Sequence, residues 1–365
     1  MIDLYSILML LLLRFRLISA VCDFGKSGDC IAVSDCTREV LPNSCSQHAA
    51  GVECCAPWQW YTVNTAKDGD LLHARHEASF VAFGEHRAYL IGGRGMKPVD
   101  EFDARTQQWS TRSTPPVEIH HFQAVVVDDA IHLMCASTGY YPHERALKRT
   151  LAYYPHDDEF RFLHDIPMRA RGSCGAALFR GKIYMVGGTI GGHVDGWQSW
   201  FDSYDPVSGE WLQLTPAPHA RDHHQVAIVG HTLCAIGGRQ TNARDNRVFE
   251  WTVAGVDCYD FDSKLWNTIQ YPPLPTPRAG NFVFAWQNRW LVCVGGESAA
   301  HVEAHTEVEA LDTHTGEGHK WPSLKRGRHG TGVAVVGGDA YVASGCGRRG
   351  GSPELATIEM LTLPQ

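Results

Sequence analysis

The chain has 365 residues, 44% of them hydrophobic, which is enough for one large domain or two ordinary ones with a sizeable core. A net charge of −8 argues against nucleic-acid binding, which needs a basic surface. Glycine (36) and tryptophan (11) are abundant, helix-period stretches are scarce, and short β-branched and aromatic runs dominate, so an all-β protein is expected.

Residues 1–20 read as a secretory signal. Ile7 to Leu13 is an unbroken apolar run, and Ile18-Ser19-Ala20 ends in small residues suited to cleavage. The run is too short to span a bilayer. Arg14 and Arg16 follow it, and Asp3 stands where positive charge is usual. No other long apolar stretch occurs, so the expectation is a secreted, extracellular protein without a membrane span. All twelve cysteines follow the cleavage point, which fits an oxidising compartment.

Six of them crowd into residues 21–56, at Cys22, Cys30, Cys36, Cys45, Cys54 and Cys55. That segment is poor in large apolar residues and needs crosslinks to hold a shape. Six cysteines allow fifteen pairings, and the sequence chooses none of them. No C-x-x-C spacing occurs among the six, so zinc is not expected there. The order Gly28-Asp29-Cys30, then Cys36, then the adjacent Cys54-Cys55 resembles the clip domain of secreted arthropod proteins.

From residue 57 to 365 one phrase recurs: an apolar strand, a turn, a second apolar strand ending in Gly-Gly, a loop, then an aromatic-Asp step and a Trp. The glycine pairs are Gly92-Gly93, Gly187-Gly188, Gly237-Gly238 and Gly295-Gly296, with degenerate copies at Ala136-Ser137 and Ser344-Gly345. The pairs ending at residues 188, 238, 296 and 345 lie 50, 58 and 49 residues apart, and the 95 residues between Gly93 and Gly188 hold two units. Phe102-Asp103 precedes Trp109, Tyr204-Asp205 precedes Trp211, Tyr259-Asp260 precedes Trp266, and Leu311-Asp312 precedes Trp321. This period and phrase resemble the kelch repeat, and six copies imply a six-bladed β-propeller. The sixth copy lacks its Trp-bearing strand, and Trp58 to Val63 is predicted to supply it, closing the ring and removing an open sheet edge. Cys135, Cys174, Cys234, Cys258, Cys293 and Cys346 sit mostly in apolar strands and read as small buried residues, with a Cys234–Cys258 disulfide open to two consecutive strands.

In such a ring the residues just before each inner strand rim one mouth. They align as Arg75, His120, Arg171, Arg221, Arg278 and Arg328, with His76, His121, His223, His224 and His329 beside them. Loops after the glycine pairs add Arg94, Arg239 and Arg348, with Glu297 as the lone acid. Two readings stand. The arginines form a cationic mouth for a carboxylate, sulfate or phosphate, or they brace loops by bonding carbonyls or a partner such as Asp222.

The chemistry this permits is a binding module for an acidic ligand, either an anionic glycan or an acidic protein segment. The alternative is an enzyme: other six-bladed kelch proteins are sialic-acid mutarotases, and the resemblance implies a base and an acid, for which Glu297 and one of His121, His224 or His329 could serve, with Arg278 or Arg328 gripping the carboxylate. A purely structural adhesion platform is the third reading. No Tyr-His dipeptide occurs, which argues against the copper oxidases that resemble galactose oxidase. Since neighbouring strand residues face opposite ways, at most one histidine of His120-His121 and of His223-His224 lines the channel. Neither a metal nor any other cofactor is expected.

Overall fold

Each repeat folds into a four-stranded antiparallel sheet in a computed structural model, and six such sheets form the blades of a ring. The structure describes the backbone of residues 30–32, 40–41 and 52–55, together with residues 58–63, 65 and 71–364. Blade 1 comprises Ala78–Phe83, Arg87–Gly92, Asp100–Asp103 and Gln108–Thr111. Blade 2 comprises Gln123–Val127, Ala130–Met134, Arg149–Tyr154 and Glu159–Asp165. Blade 3 comprises Gly175–Phe179, Lys182–Val186, Phe201–Tyr204 and Trp211–Leu214. Blade 4 comprises Gln225–Val229, Thr232–Ile236, Asp257–Asp260 and Leu265–Asn267. Blade 5 comprises Phe282–Trp286, Trp290–Val294, Val308–Asp312 and Gly318–Trp321. In blade 6, Val333–Val336, Asp339–Ala343 and Ile358–Thr362 are joined by Tyr61–Thr62.

The first strand of each blade lies against the first strands of its two neighbours, and blade 6 returns to blade 1. The second strands are buried on both faces, so they read as continuous apolar runs such as Tyr89-Leu90-Ile91. The core is a set of layers between blades. Trp109 shows how the recurring Trp works: its ring lies 4.9 Å from Phe102 and packs in one cluster with Ala334, Val336 and Tyr341 of blade 6.

Chain closure follows the sequence expectation. Tyr61 pairs with Met360 and Thr62 with Glu359. The neighbouring Trp60 is fully buried and donates its indole N–H to Pro322 O at 2.8 Å. The glycine pairs owe their identity to the seam between blades. Gly237 has φ +72°, and a Cβ there would stand 2.8 Å from the Arg278 carbonyl of the next blade.

Two compact units divide the chain, residues 60–361 and residues 1–59 with 362–365. In the second, Cys30–Ala32, Val40–Leu41 and Val52–Cys55 form a three-stranded antiparallel sheet with Val52–Cys55 in the middle. The predicted signal, Cys22, Cys36 and Cys45 lie outside the described residues, as do the side chains of Cys30, Cys54 and Cys55 and hence their pairing. In the propeller, Cys234–Cys258 is a disulfide between paired strands of blade 4. Cys135 and Cys174 are also joined, which corrects their reading as plain buried residues. Cys293 and Cys346 are free and buried. Among the described residues no helix is long and apolar enough to cross a membrane.

Candidate functional site

The arginines before the inner strands do not point into the channel. Arg75, Arg171, Arg221, Arg278 and Arg328 are at most 3% exposed. Each meets an acid on the third strand of its own blade: Arg75–Asp100 at 2.6 Å, Arg171–Asp202 at 2.8 Å, Arg221–Asp257 at 2.6 Å, Arg278–Glu309 at 2.6 Å and Arg328–Glu359 at 2.5 Å. Each also donates to a carbonyl in the second-strand ending of its blade: Arg75 to Gly92 O, Arg171 to Gly187 O, Arg221 to Gly237 O, Arg278 to Gly295 O and Arg328 to Ser344 O. The planar fork of donors thus ties three strands of a blade together. The expectation that these five form a ligand-binding ring is corrected by that geometry: their guanidinium groups are buried inside the blades and paired with acids there.

Blade 2 departs from this rule, and the departure corrects the alignment. The amide of the second seam residue donates to the carbonyl of the equivalent residue in the next blade: Gly188 to Arg221 O, Gly238 to Arg278 O, Gly296 to Arg328 O and Gly345 to Arg75 O. Gly93 donates likewise to Ile119 O, so Ile119 holds the arginine position and His120 is one residue beyond it. The acid position is taken by Leu151, which pairs with Leu133 two residues before Cys135-Ala136. That dipeptide is the true counterpart of the glycine pair, with Cys135 at φ +58°. The buried ion pair has been replaced as a unit by a buried Ile119 and Leu151 in one apolar cluster.

Two residues past the arginine position, every blade presents a residue with positive φ: Glu77, His121, Ser173, His223, Gly280 and Gly330, at 51–65°. Their backbones form a hydrogen-bonded ring around the axis. His121 N donates to Glu77 O, Ser173 N to His121 O, His223 N to Ser173 O, Gly280 N to His223 O and Gly330 N to Gly280 O, over 2.7–3.0 Å. Ala78 N closes it on Gly330 O at 3.1 Å. Below the ring Gln123 bridges the first strands, accepting from Ala176 N at 2.9 Å and Val226 N at 3.1 Å. Gln225 does the same for Val283 N at 3.0 Å. Only about 40 Å³ of space remains at this neck, which His224 also lines.

Above the ring the mouth opens into a cavity of about 520 Å³, lined by His76, Glu77, Arg94, His121, Tyr141, His193, Arg239, Val248, Phe249, Glu297, Gly350 and Gly351. Arg239 bonds Glu297 at 2.5 Å, Arg94 bonds Glu144, and Arg348 bonds Glu303 at 3.0 Å. The Arg239 and Arg349 guanidinium carbons lie 5.3 and 5.6 Å from the Phe249 ring centroid. Burial works to raise the Glu77 carboxyl, but the surrounding cluster of His223, His329, His76 and Arg94 outweighs it and holds the group at about 2. Burial also opposes ionisation of Glu297, which His329 and Arg239 nevertheless pull below the usual carboxylate range. For His329 burial disfavours the charge, yet Glu297, a contact with Cys346 and Glu77 raise it to about 9. His329 and Glu297 stand 3.4 Å apart.

Three imidazoles meet at the edge of this cavity. The His121 ring centroid lies 5.1 Å from His193 and 5.0 Å from His223, and the latter two are 4.7 Å apart. Each ring has an acceptor behind it: His193 Nδ1 meets Glu144 at 2.9 Å, His223 Nδ1 meets Asp222, and His121 Nδ1 meets His120 Nδ1 at 2.7 Å. Asp222, expected as an arginine partner, serves His223 instead. A second cluster that offers metal-ligating atoms is His301, His305 and Glu307.

Of the predicted catalytic set, the structure brings Glu297 and His329 together and leaves His224 at the neck, buried with neither ring nitrogen bonded. The sequence reading missed Glu77, Tyr141, Glu144, His193 and Phe249. Glu77 carried a signal, since it occupies the same repeat position as His121 and His223. His193 and the others lie on non-repeating loops, where repeat alignment has nothing to compare.

Residues 54–303 match the family model of the Attractin/LZTR1 β-propeller. Kelch-like protein terF of Aspergillus terreus is 23% identical over 309 residues, covering 79% of this chain and 65% of that protein. Kelch-like protein 36 of Mus musculus is 21% identical over 256 residues, covering 70% of this chain and 40% of that protein. The chain therefore spans less than two thirds of the length of either relative. Among solved structures, "Structure of YjhT" aligns with a TM-score of 0.64 at 13% identity, covering 78% of this chain and 96% of that one.

Proposed function

Because the chain belongs to the Attractin/LZTR1 β-propeller family, we propose that it is a secreted binding module whose mouth holds an acidic ligand, an anionic glycan or an acidic protein segment. The observation that carries this is the mouth cavity, where Arg94 and Arg239 stand with the aromatic faces of Tyr141 and Phe249. Arg94 is the reachable cation: its side chain is 22% exposed, against 2% for Arg239. It gives one guanidinium nitrogen to Glu144, whereas a guanidinium carries five N–H donors. Arg348, half exposed at the rim, adds to the same field. A ligand with a carboxylate beside an apolar or sugar face matches this mixture.

The test is a thermal-shift screen of the protein against sialic and uronic acids, sulfated sugars, acidic peptides and neutral sugars. A ligand that binds only the folded state raises the melting temperature by mass action. A shift confined to anionic compounds and lost in Arg94→Ala supports the proposal. An equal shift with neutral sugars, or none with any compound, overturns it.

The enzyme alternative has one observation in its favour, the contact between Glu297 and His329 at the cavity. Glu297 is a weak base while Arg239 and His329 hold it ionised. In the mutarotase reading Glu297→Gln abolishes anomerisation of sialic acid followed by NMR and keeps binding. Absence of wild-type turnover removes that reading.

A further inference from the structure

We propose that His121, His193 and His223 form a three-histidine site for a divalent transition metal, with Zn(II) as the best match. The proposal goes beyond ligand binding at the mouth and is read out without any organic ligand.

The three residues come from three consecutive blades. His121 and His223 occupy the positive-φ ring position of blades 2 and 4, and His193 reaches over the intervening Ser173 from the loop between the second and third strands of blade 3. Each offers one ring nitrogen, and the three nitrogens lie within 4.8 Å of one another. All three side chains are at most 8% exposed.

What makes this more than a cluster is how the tautomers are set. His120 Nε2 lies 2.9 Å from the Gly139 carbonyl, which only accepts, so His120 donates there and its Nδ1 accepts from His121 Nδ1–H. Glu144 and Asp222 accept from His193 and His223 at the same ring atom. Each imidazole is thereby left with an Nε2 lone pair. The Nε2 atoms of His121 and His223 are buried and have no hydrogen-bond partner among the described residues. Three imidazoles, with carboxylates or another acceptor fixing the far nitrogen of each, are the ligand set of a zinc site that keeps one position open.

The acceptors are themselves held. Asp222 receives Thr241 N at 3.0 Å and Thr241 Oγ1 at 2.5 Å, and Glu144 receives His193 N at 3.1 Å and Arg94. Glu77 stands 3.4 Å from His121 Nε2 and brings negative charge beside the cation. Nitrogen–zinc bonds of about 2.1 Å place tetrahedral ligand nitrogens about 3.4 Å apart, so nitrogens standing within 4.8 Å of one another close in by up to about 1.4 Å when the ion binds. His121 and His193 both line the mouth cavity, so the fourth coordination position opens toward it.

The experiment is calorimetric titration of the chelator-treated, dialysed full chain with Zn(II) alone. The expected result is one tight equivalent per chain, weakened at least about 100-fold in both His193→Ala and His223→Asn. Asp222→Asn, a positioning change, weakens it about 10–100-fold. His305→Ala, in the other candidate cluster, leaves it intact. Circular dichroism and melting of the metal-free variants report on the fold, and His193, on a loop, is the safer of the two ligand changes. Anomalous scattering at the zinc edge of wild-type crystals locates the ion independently of any variant. Absence of a tight equivalent in the wild type, retention of it in both ligand variants, its loss in His305→Ala, or anomalous density away from the three histidines overturns the proposal.

Discussion

Arg278 illustrates what a single residue does in this fold. Its guanidinium reaches Glu309, Gly295 O and Thr276 O, with nothing left for solvent. Removing one member of such a buried pair strands the other charge. Arg278→Ala is therefore expected to lower stability by about 3–5 kcal/mol, measured by urea unfolding, and any loss of ligand binding would be secondary. Arg94→Ala removes one partner of the buried Glu144, which keeps His193 N and Nδ1, so a smaller loss of about 1–3 kcal/mol is expected in the same measurement. His329 makes a pH-dependent contribution. Its pKa in the fold is about 9 against the ordinary 6.5, so its stabilisation is fully present below 6.5 and is lost as pH rises through 9. The difference corresponds to roughly 3 kcal/mol. The urea midpoint should fall between pH 7 and 9.5 in the wild type and show a flatter dependence in His329→Gln; equal slopes would refute the assignment.

At the scale of the blade, the same strand scaffold tolerates two different solutions at one site. Five blades hold a buried Arg–acid pair, and blade 2 holds Ile119 with Leu151. A well-packed apolar pair can replace a buried ion pair without loss, whereas half of the exchange is costly. Ile119→Arg alone should destabilise by several kcal/mol, on the order of 3–5. Adding Leu151→Asp should recover roughly 1–3 kcal/mol of coupling in a double-mutant cycle. Additive effects would show that the two positions do not communicate.

For the whole molecule, closure by Tyr61–Thr62 ties the start of the propeller to its end. Trp60 anchors that strand, fully buried and bonded to Pro322 O. Trp60→Ala should lower stability by about 3–5 kcal/mol. Because the apolar layers lie between adjacent blades, hydrogen exchange should show the loss first in blade 6, whose edge would be uncovered. Uniform acceleration across all blades would instead mean that the ring opens as one unit.

Much of this organisation is legible in the sequence. Glycine pairs and tryptophans at a period near 50 residues gave six blades, and the missing last strand pointed to Trp58–Val63, because a repeat that cannot bury its faces alone must find its missing strand elsewhere in the chain. The site was less legible. Arginine at a repeating position looked like a shared binding feature, but a repeating residue meets the same neighbours in every blade, and here those neighbours are an acid and a carbonyl one strand away. The misplacement of His120 came from spacing alone. Blade 2 has no glycine pair to anchor the count, and only the hydrogen bond from Gly93 to Ile119 O sets the register. The meeting of His121, His193 and His223 was beyond the sequence for a related reason. Local pattern determines strands and turns, whereas groups separated by 30 residues or more converge only when ring closure brings three blades and one irregular loop to a common axis.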